Sequence, residues 1–309
     1  MDTESKNGDL FSFCSGDVVR MLPSLLKRLY EVLLKPLLIV WRKKLSSSIL
    51  NFHIVGPTKN QGGCSTVYVA HDREFDLPVA LKVVPFKKSF ARKQFQNEAR
   101  ITKRLSGSPH IVHIYNTFIE SNHGFIAMEM ADTDLHEKYL GRQLDLKLLK
   151  QIFLQICLAV QSCHQNNVAH LDIKPENILI DRAGNIKLCD FGSAVMVTSV
   201  PDYLPQIDLG SDFYSAPEVH TKPVQVGLEA DMWSLGVLLY AFVCGTFPYD
   251  GENECEMMEN YRQGNVSFSH LEYAKISPVG KNLIRLLLKP LPQHRLTISQ
   301  TLNHPWFHE

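Results

Sequence analysis

Apolar residues are spaced in two different ways along this chain, and no single type of regular element satisfies both. From about residue 50 to 130 they form short alternating runs, NFHIV, STVYVAH, LPVALKVVPF, VHIYNTFIE and GFIAMEMA, the period of strands with one buried face. One helical stretch, SFARKQFQNEARITKRL, interrupts them. After about residue 140 the spacing lengthens. LKLLKQIFLQICLAVQSCH, EADMWSLGVLLYAFVCG and PVGKNLIRLLLK repeat at the helical period, and a last short helix opens at Thr297 as N-cap. Strands gathered first and helices after them predict an α+β chain of two lobes: a small antiparallel sheet lobe with one helix, then a larger, mainly helical lobe.

Composition excludes more than it assigns. Thirty-two basic residues balance thirty-two acidic ones, so no global field points to nucleic acid or membrane, and either contact needs a local patch. The seven cysteines are scattered through apolar runs without zinc spacing, which suits reduced thiols in a cytosol or nucleus. The polar, acidic start MDTESKNGD is unlike a secretory signal, so secretion is not expected and the sequon at Asn265 goes unused. The most apolar run, residues 232–245, is shorter than the roughly 20 residues that cross a bilayer.

Residues 1–48 read as a separate leader. A helix over 18–35 puts Arg20, Ser24, Lys27, Arg28, Glu31 and Lys35 on one stripe, with Val, Leu and Tyr opposite; Pro36 ends it, and LLIVW and RKK follow. Three readings stand open: a helix docked on its own protein, a peripheral contact with a membrane surface, or a calmodulin target within residues 18–44.

The chemistry concentrates in VAHLDIKPENILIDRAGNIKLCDFGSA, residues 168–194. ILI and IKL flank the turn DRAGN, which predicts a short hairpin whose open end brings Asn177 and Asp190 side by side, within roughly 5 Å. Elsewhere Lys82 is the one charge inside VALKVV, so it needs a counter-charge, and Glu98 on the next helix offers one.

Taken in order, VALK (79–82), Glu98, HLDIKPEN (170–177), DFG (190–192), APE (216–218), DMWSLG (231–236) and Arg295 resemble a eukaryotic protein kinase, from about residue 51 to 307. The resemblance implies a kinase domain over 49–309, divided into an N-lobe (49–131) and a C-lobe (132–309). It implies ATP and Mg²⁺ as cofactors. Lys82 would hold phosphates and Glu98 would fix its rotamer; Asp172 would accept or orient the acceptor proton; Lys174 would steady the transferred group; Asn177 and Asp190 would ligate metal. Gly62 and Gly63 would approach the phosphates. Val67, Ala80 and Leu179 would enclose the adenine, with Met128 behind it and the main chain from Glu129 to Ala131 at its edge. Lys174-Pro175-Glu176 and Ser211 resemble serine/threonine kinases, so the implied substrates are proteins with Ser or Thr acceptors. Asp134 and Glu176 would read a basic motif.

Several positions depart from that pattern. Asn60, Gly62 and Ser65 occupy the slots of a three-glycine turn. Leu171 stands where an arginine usually clamps a phosphate, so activity is expected without phosphorylation of Thr198, Ser199 or Tyr203. His-Leu-Asp also resembles the myosin light-chain kinase branch, whose members are braked by a flanking segment, a role that here would fall to the leader. Thr102 replaces an aliphatic and needs a hydrogen-bond partner. Cys189 is either a thiol-reactive site or a small buried hydrophobe. The competing reading is a pseudokinase, a nucleotide-binding scaffold whose output is an interaction.

Overall fold

The computed structural model describes residues 48–61, 65–87, 90–139, 142, 144–197, 213–220, 227–249, 254–264, 266 and 276–309. Leader residues 1–47, Gly62, Gly63, Thr198, Ser199, Tyr203 and Ser211 lie outside them.

The alternating runs form one antiparallel sheet. Strands β1 (Phe52–Gln61), β2 (Thr66–Asp72), β3 (Leu77–Pro85), β4 (Ile114–Glu120) and β5 (His123–Met128) lie in the order β1-β2-β3-β5-β4. One face is sealed by a stack of Phe52, Phe118 and Phe125, with centroids 5.9 and 4.8 Å apart. Between β3 and β4 runs α1 (Ala91–Leu105), which buries Phe95, Glu98, Ile101, Thr102 and Leu105 at helical spacing.

The helical lobe follows. It comprises β6 (Thr133–Asp134), α2 (Leu135–Tyr139), α3 (Leu146–Gln165), β7 (Val168–Ala169), β8 (Ile178–Ile180), β9 (Ile186–Leu188), β10 (Val195–Met196), α4 (Glu229–Cys244), α5 (Glu254–Gln263), α6 (Pro278–Leu287) and α7 (Ile298–Leu302). Its longest apolar helix, α3, has the length and apolarity of a membrane span. Yet Leu149, Ile152, Phe153, Ile156 and Val160 are buried in the lobe's main core, so α3 reads as a core helix. Thr297 caps α7: its hydroxyl accepts from Gln300 N while the Gln300 side chain accepts from Thr297 N.

Arg295 pins the base of this lobe. Its guanidinium forks onto Glu218, Nη1 to Oε1 at 2.6 Å and Nη2 to Oε2 at 2.7 Å, and donates to the carbonyls of Glu229, Lys289 and Pro290. The Trp233 ring lies 5.0 Å below it.

Candidate active site

Lys82 sits in the middle of the sheet, between Val67 on β2 and Ile126 on β5, so its position is set by two ladders. Helix α1 reaches it because Phe95 packs against the sheet, in a cluster with Val84 and Ile126; burying such a ring stabilises by about 1.5–3 kcal/mol. The approach requires glycine at 124, where an added Cβ would meet the Phe95 ring at 2.5 Å. One turn along, Glu98 Oε1 accepts from Lys82 Nζ at 2.6 Å, and Asp190 Oδ1 accepts from the same nitrogen at 2.9 Å.

These three charges hold one another. Burial works against the Lys82 ammonium, but the Asp190 and Glu98 carboxylates outweigh it and keep the amine above the usual lysine range. The Lys82 ammonium in turn holds the Asp190 carboxyl at about 2, against the opposing effect of burial. Removal from water pushes the Glu98 carboxyl up, and Lys82 pulls it back. The Asp190 side chain remains 42% exposed, so the carboxylate is still open to a ligand.

The second group is built on Asp231, which is fully buried at the start of α4. Its carboxylate accepts from the His170 and Leu171 main-chain amides, each at 2.9 Å, and pairs with His164 Nε2 at 2.9 Å. This grip holds Leu171 at φ 64°, a left-handed conformation that costs leucine on the order of 1 kcal/mol. The strained turn delivers Asp172. Its Oδ1 pairs with Lys174 Nζ at 2.7 Å, and its Oδ2 accepts from Asn177 Nδ2 at 2.8 Å. His170 Nδ1 accepts from the Asp172 amide and Nε2 faces the Cys189 carbonyl at 3.0 Å, which assigns the ring proton to Nε2.

The expected hairpin forms over the same residues: Ile178, Leu179 and Ile180 pair with Leu188, Lys187 and Ile186. Asp181 Oδ1 accepts from Ala183 N and Asn185 N to shape the turn, and Gly184 takes φ 86°. Its open end differs from expectation by one residue. Cys189, not Asp190, faces Asn177, whose carbonyl accepts from Cys189 N at 3.0 Å. Asp190 follows at φ 59°, ψ 73°, and this left-handed turn swings its carboxylate toward Lys82.

Two oxygen donors, the Asp190 carboxylate and the Asn177 amide oxygen, fit a hard cation that keeps waters and shares phosphate ligands, as Mg²⁺ does. Among the described residues no cluster of three or more His, Cys, Asp or Glu side chains forms a metal site of its own. The donor set therefore suits a cation brought in with a phosphate.

Around the cleft, Val67, Ala80, Met128 and Leu179 are aliphatic yet only partly buried. Ala80 is in register with Val69 on one side and Met128 on the other. Glu129 turns its carboxylate away, to accept from His113 N at 2.8 Å and pair with Lys187 Nζ at 3.1 Å, while its own N–H donates to the His113 carbonyl. Ala131 is likewise partly buried.

One expectation changes, one is met and one open alternative narrows. Asp134 is only 3% exposed, and its Oδ1 accepts from Glu137 N at 2.7 Å, so it caps α2 and is not free to read a basic substrate; Glu176 remains open. Thr102 finds its partner in the Glu98 carbonyl at 2.9 Å. Burial first, then the Asp190 charge, pushes the Cys189 thiol well up, so this partly buried thiol is a poor nucleophile and the thiol-reactive reading loses ground. Iodoacetamide at pH 8 should leave Cys189 unlabelled in the folded protein; peptide mass spectrometry showing labelling as fast as in urea would contradict this.

Sequence reasoning missed Asp231 as the anchor of the Asp172 turn, and it missed Gln94 and Asn97, which reach from α1 to the segment after Asp190. Asp231 carried a signal: with Glu229 it is one of two acids in the first turn of a helix otherwise apolar all round, and it is the fully buried one.

A sheet lobe and a helical lobe with the Lys82, Glu98 and Asp190 ion pairs beside Asp172 are the arrangement of a protein kinase domain. The family model for the protein kinase domain matches residues 58–307, and the chain belongs to that family. It is 32% identical over 270 residues to CBL-interacting protein kinase 5 of Oryza sativa subsp. japonica, covering 86% of this chain and 58% of that one. It is 32% identical over 268 residues to serine/threonine protein kinase OSK3 of Oryza sativa subsp. indica, covering 85% and 51%. With calcium-dependent protein kinase 34 of Arabidopsis thaliana it shares 30% over 265 residues, covering 83% and 50%. The chain thus spans about half the length of the curated relatives it matches.

Proposed function

We propose that this chain is a serine/threonine protein kinase, transferring the γ-phosphoryl group of ATP to hydroxyls of protein substrates through a domain over residues 49–309. The observation that carries the reading is the joint contact of Lys82 Nζ with Glu98 at 2.6 Å and Asp190 at 2.9 Å, beside Asp172 held by Lys174 and Asn177. A scaffold has no chemical need to hold all these groups in one arrangement.

In this reading Lys82, kept cationic, binds phosphate oxygens, and Glu98 fixes where its nitrogen lies. Asn177 and Asp190 hold Mg²⁺, which when bound neutralises phosphate charge. Asp172 accepts a hydrogen bond from the acceptor hydroxyl and takes its proton late in transfer. Lys174, already at 2.7 Å from Asp172, offers its charge to the moving phosphoryl group. Val67, Ala80 and Leu179 would enclose the base, with Met128 behind it and the main chain from Glu129 to Ala131 at its edge. Gly62 and Gly63, outside the described residues, would approach the phosphates.

The assay is transfer from labelled ATP to a degenerate peptide library, with wild type beside Asp172→Asn. Wild type should label Ser and Thr peptides, and the variant should be slower by about 10²–10⁴-fold. Equal labelling by both would expose a contaminant, and none by either would favour a pseudokinase scaffold.

Independence from activation-segment phosphorylation belongs to the same proposal. Leu171 is buried, with its amide held by Asp231, and an aliphatic side chain cannot pair with a phosphate. Wild-type rates from a Thr198→Ala, Ser199→Ala, Tyr203→Phe triple variant would support it, and lost activity would refute it. One relative is calcium-dependent by name; assays with calcium, calmodulin and acidic vesicles therefore test residues 18–44. Cys157, Cys163 and Cys189 carry free thiols, which supports a reducing cytosol or nucleus.

A further inference from the structure

Helix α1 is fastened at more than the Lys82–Glu98 pair. Asn97, next to Glu98 and only 6% exposed, donates from Nδ2 to the Ala194 carbonyl at 2.8 Å. Gln94, one turn earlier, donates from Nε2 to the Gly192 carbonyl at 3.1 Å. Both acceptors lie within four residues of Asp190, and Ala194 is itself fully buried. On the opposite side of the helix, Phe95 is the anchor to the sheet. The helix therefore bridges two bodies, with Phe95 gripping the strands that carry Lys82 and the two amides gripping the segment that carries Asp190.

We propose that Gln94 and Asn97 are positioning residues, a two-amide clamp that sets helix α1 against the residues after Asp190 so that Glu98 and Asp190 meet Lys82 together. The chemistry suits the task. A neutral amide donor adds no charge beside a site already crowded with carboxylates, yet a buried carbonyl deprived of it is left unsatisfied. Asn97 is fixed in turn by Arg100, whose Nη2 donates to its Oδ1 at 3.2 Å, so the side chain is held at both ends. The site gains a clamp made from α1 itself, in a chain where the residue before Asp172 is an uncharged leucine.

The clamp deepens the kinase reading, and only its kinetic consequence rests on that reading. The test uses the full chain with Gln94→Met, Asn97→Leu and the double variant, changes that keep side-chain size and remove the donor. Hydrogen exchange read by mass spectrometry should show protection of residues 91–105 falling about tenfold in each single variant and about a hundredfold in the double. Protection of 146–165 should not change. Calorimetry with Mg-ATP should show weaker binding by the double variant. Peptide assays should show KM for ATP raised, KM for peptide unchanged, and the rate lost at low ATP recovered in part at high ATP. No fall in 91–105, or an equal fall in both helices, would overturn the clamp. Exchange and calorimetry read it even in a chain that transfers no phosphate, so failure of the kinase reading stays distinguishable from failure of the clamp.

Discussion

Asp190→Asn will transfer phosphate roughly a hundredfold to a thousandfold more slowly than the wild type while keeping its fold, as expected when one fixed electrostatic contact is lost from a catalytic site. The change keeps the shape and removes one negative charge. Two things depend on that charge. In the proposed site the metal would lose its carboxylate ligand, leaving two neutral amides that bind a hard divalent cation poorly. Lys82 loses the partner at 2.9 Å and keeps Glu98 at 2.6 Å, so the amine stays cationic but is pulled toward the helix. The fold should persist because Phe191, the next residue, is fully buried and packs edge-on against His170 at 4.7 Å.

The pH dependence separates this charge from others. The Asp190 carboxyl is held at about 2, below its usual 3.8, so its contribution to stability is present above about pH 4 and lost as pH falls toward 2. Its protonation therefore contributes nothing to any loss of activity between pH 8 and 5. Acid unfolding followed by circular dichroism should lose some of its steepness between pH 4 and 2 in the variant. A variant retaining more than a tenth of wild-type transfer, with unchanged Mg²⁺ dependence, would remove Asp190 from the site.

Much of this was legible in the sequence, for reasons that can be named. The sheet lobe follows from alternation, clearest in β3, where Val79 and Leu81 join one cluster and Val84 the other, so a slip of one would turn Lys82 to the opposite face. Helix α3 follows from apolar periodicity, α4 from an apolar run too long for a strand, and α7 from a capping box written in Thr297 and Gln300. The Lys82–Glu98 pair was inferable because a lone cation in hydrocarbon demands an anion. What escaped was carried by backbone conformation and by contacts distant in sequence. The left-handed residue at Asp190 shifts the hairpin's open end by one position, and no pattern of residue types announces it. Asp134 looked available as a carboxylate in a polar stretch, but capping α2 buries it. Gln94 and Asn97 lie 98 and 97 residues from the carbonyls they hold, and amides on a helix face carry no periodic signal.

Arg295→Met will cost about 3–5 kcal/mol of stability, the usual consequence of stranding one member of a buried ion pair. For a chain of this size that corresponds to a fall in Tm on the order of 10 °C. The argument rests on what remains. Glu218 accepts both arms of the guanidinium, and its side chain is only 10% exposed, so the deserted carboxylate has little water to turn to. The carbonyls of Glu229, Lys289 and Pro290 lose a donor at the same stroke, and the Trp233 face loses its cation. Arg295→Lys should recover little, because a single ammonium cannot reproduce the fork. Adding Glu218→Gln to Arg295→Met should recover part of the loss, since the stranded charge disappears, and the recovery measures how much of the cost was desolvation. High salt should leave the wild-type contribution nearly intact, as an interior pair is poorly screened. Thermal unfolding of the four proteins at low and high salt decides the matter: a loss under 1 kcal/mol in Arg295→Met, or a double variant less stable than the single, would mean that the helical lobe does not depend on this ion pair.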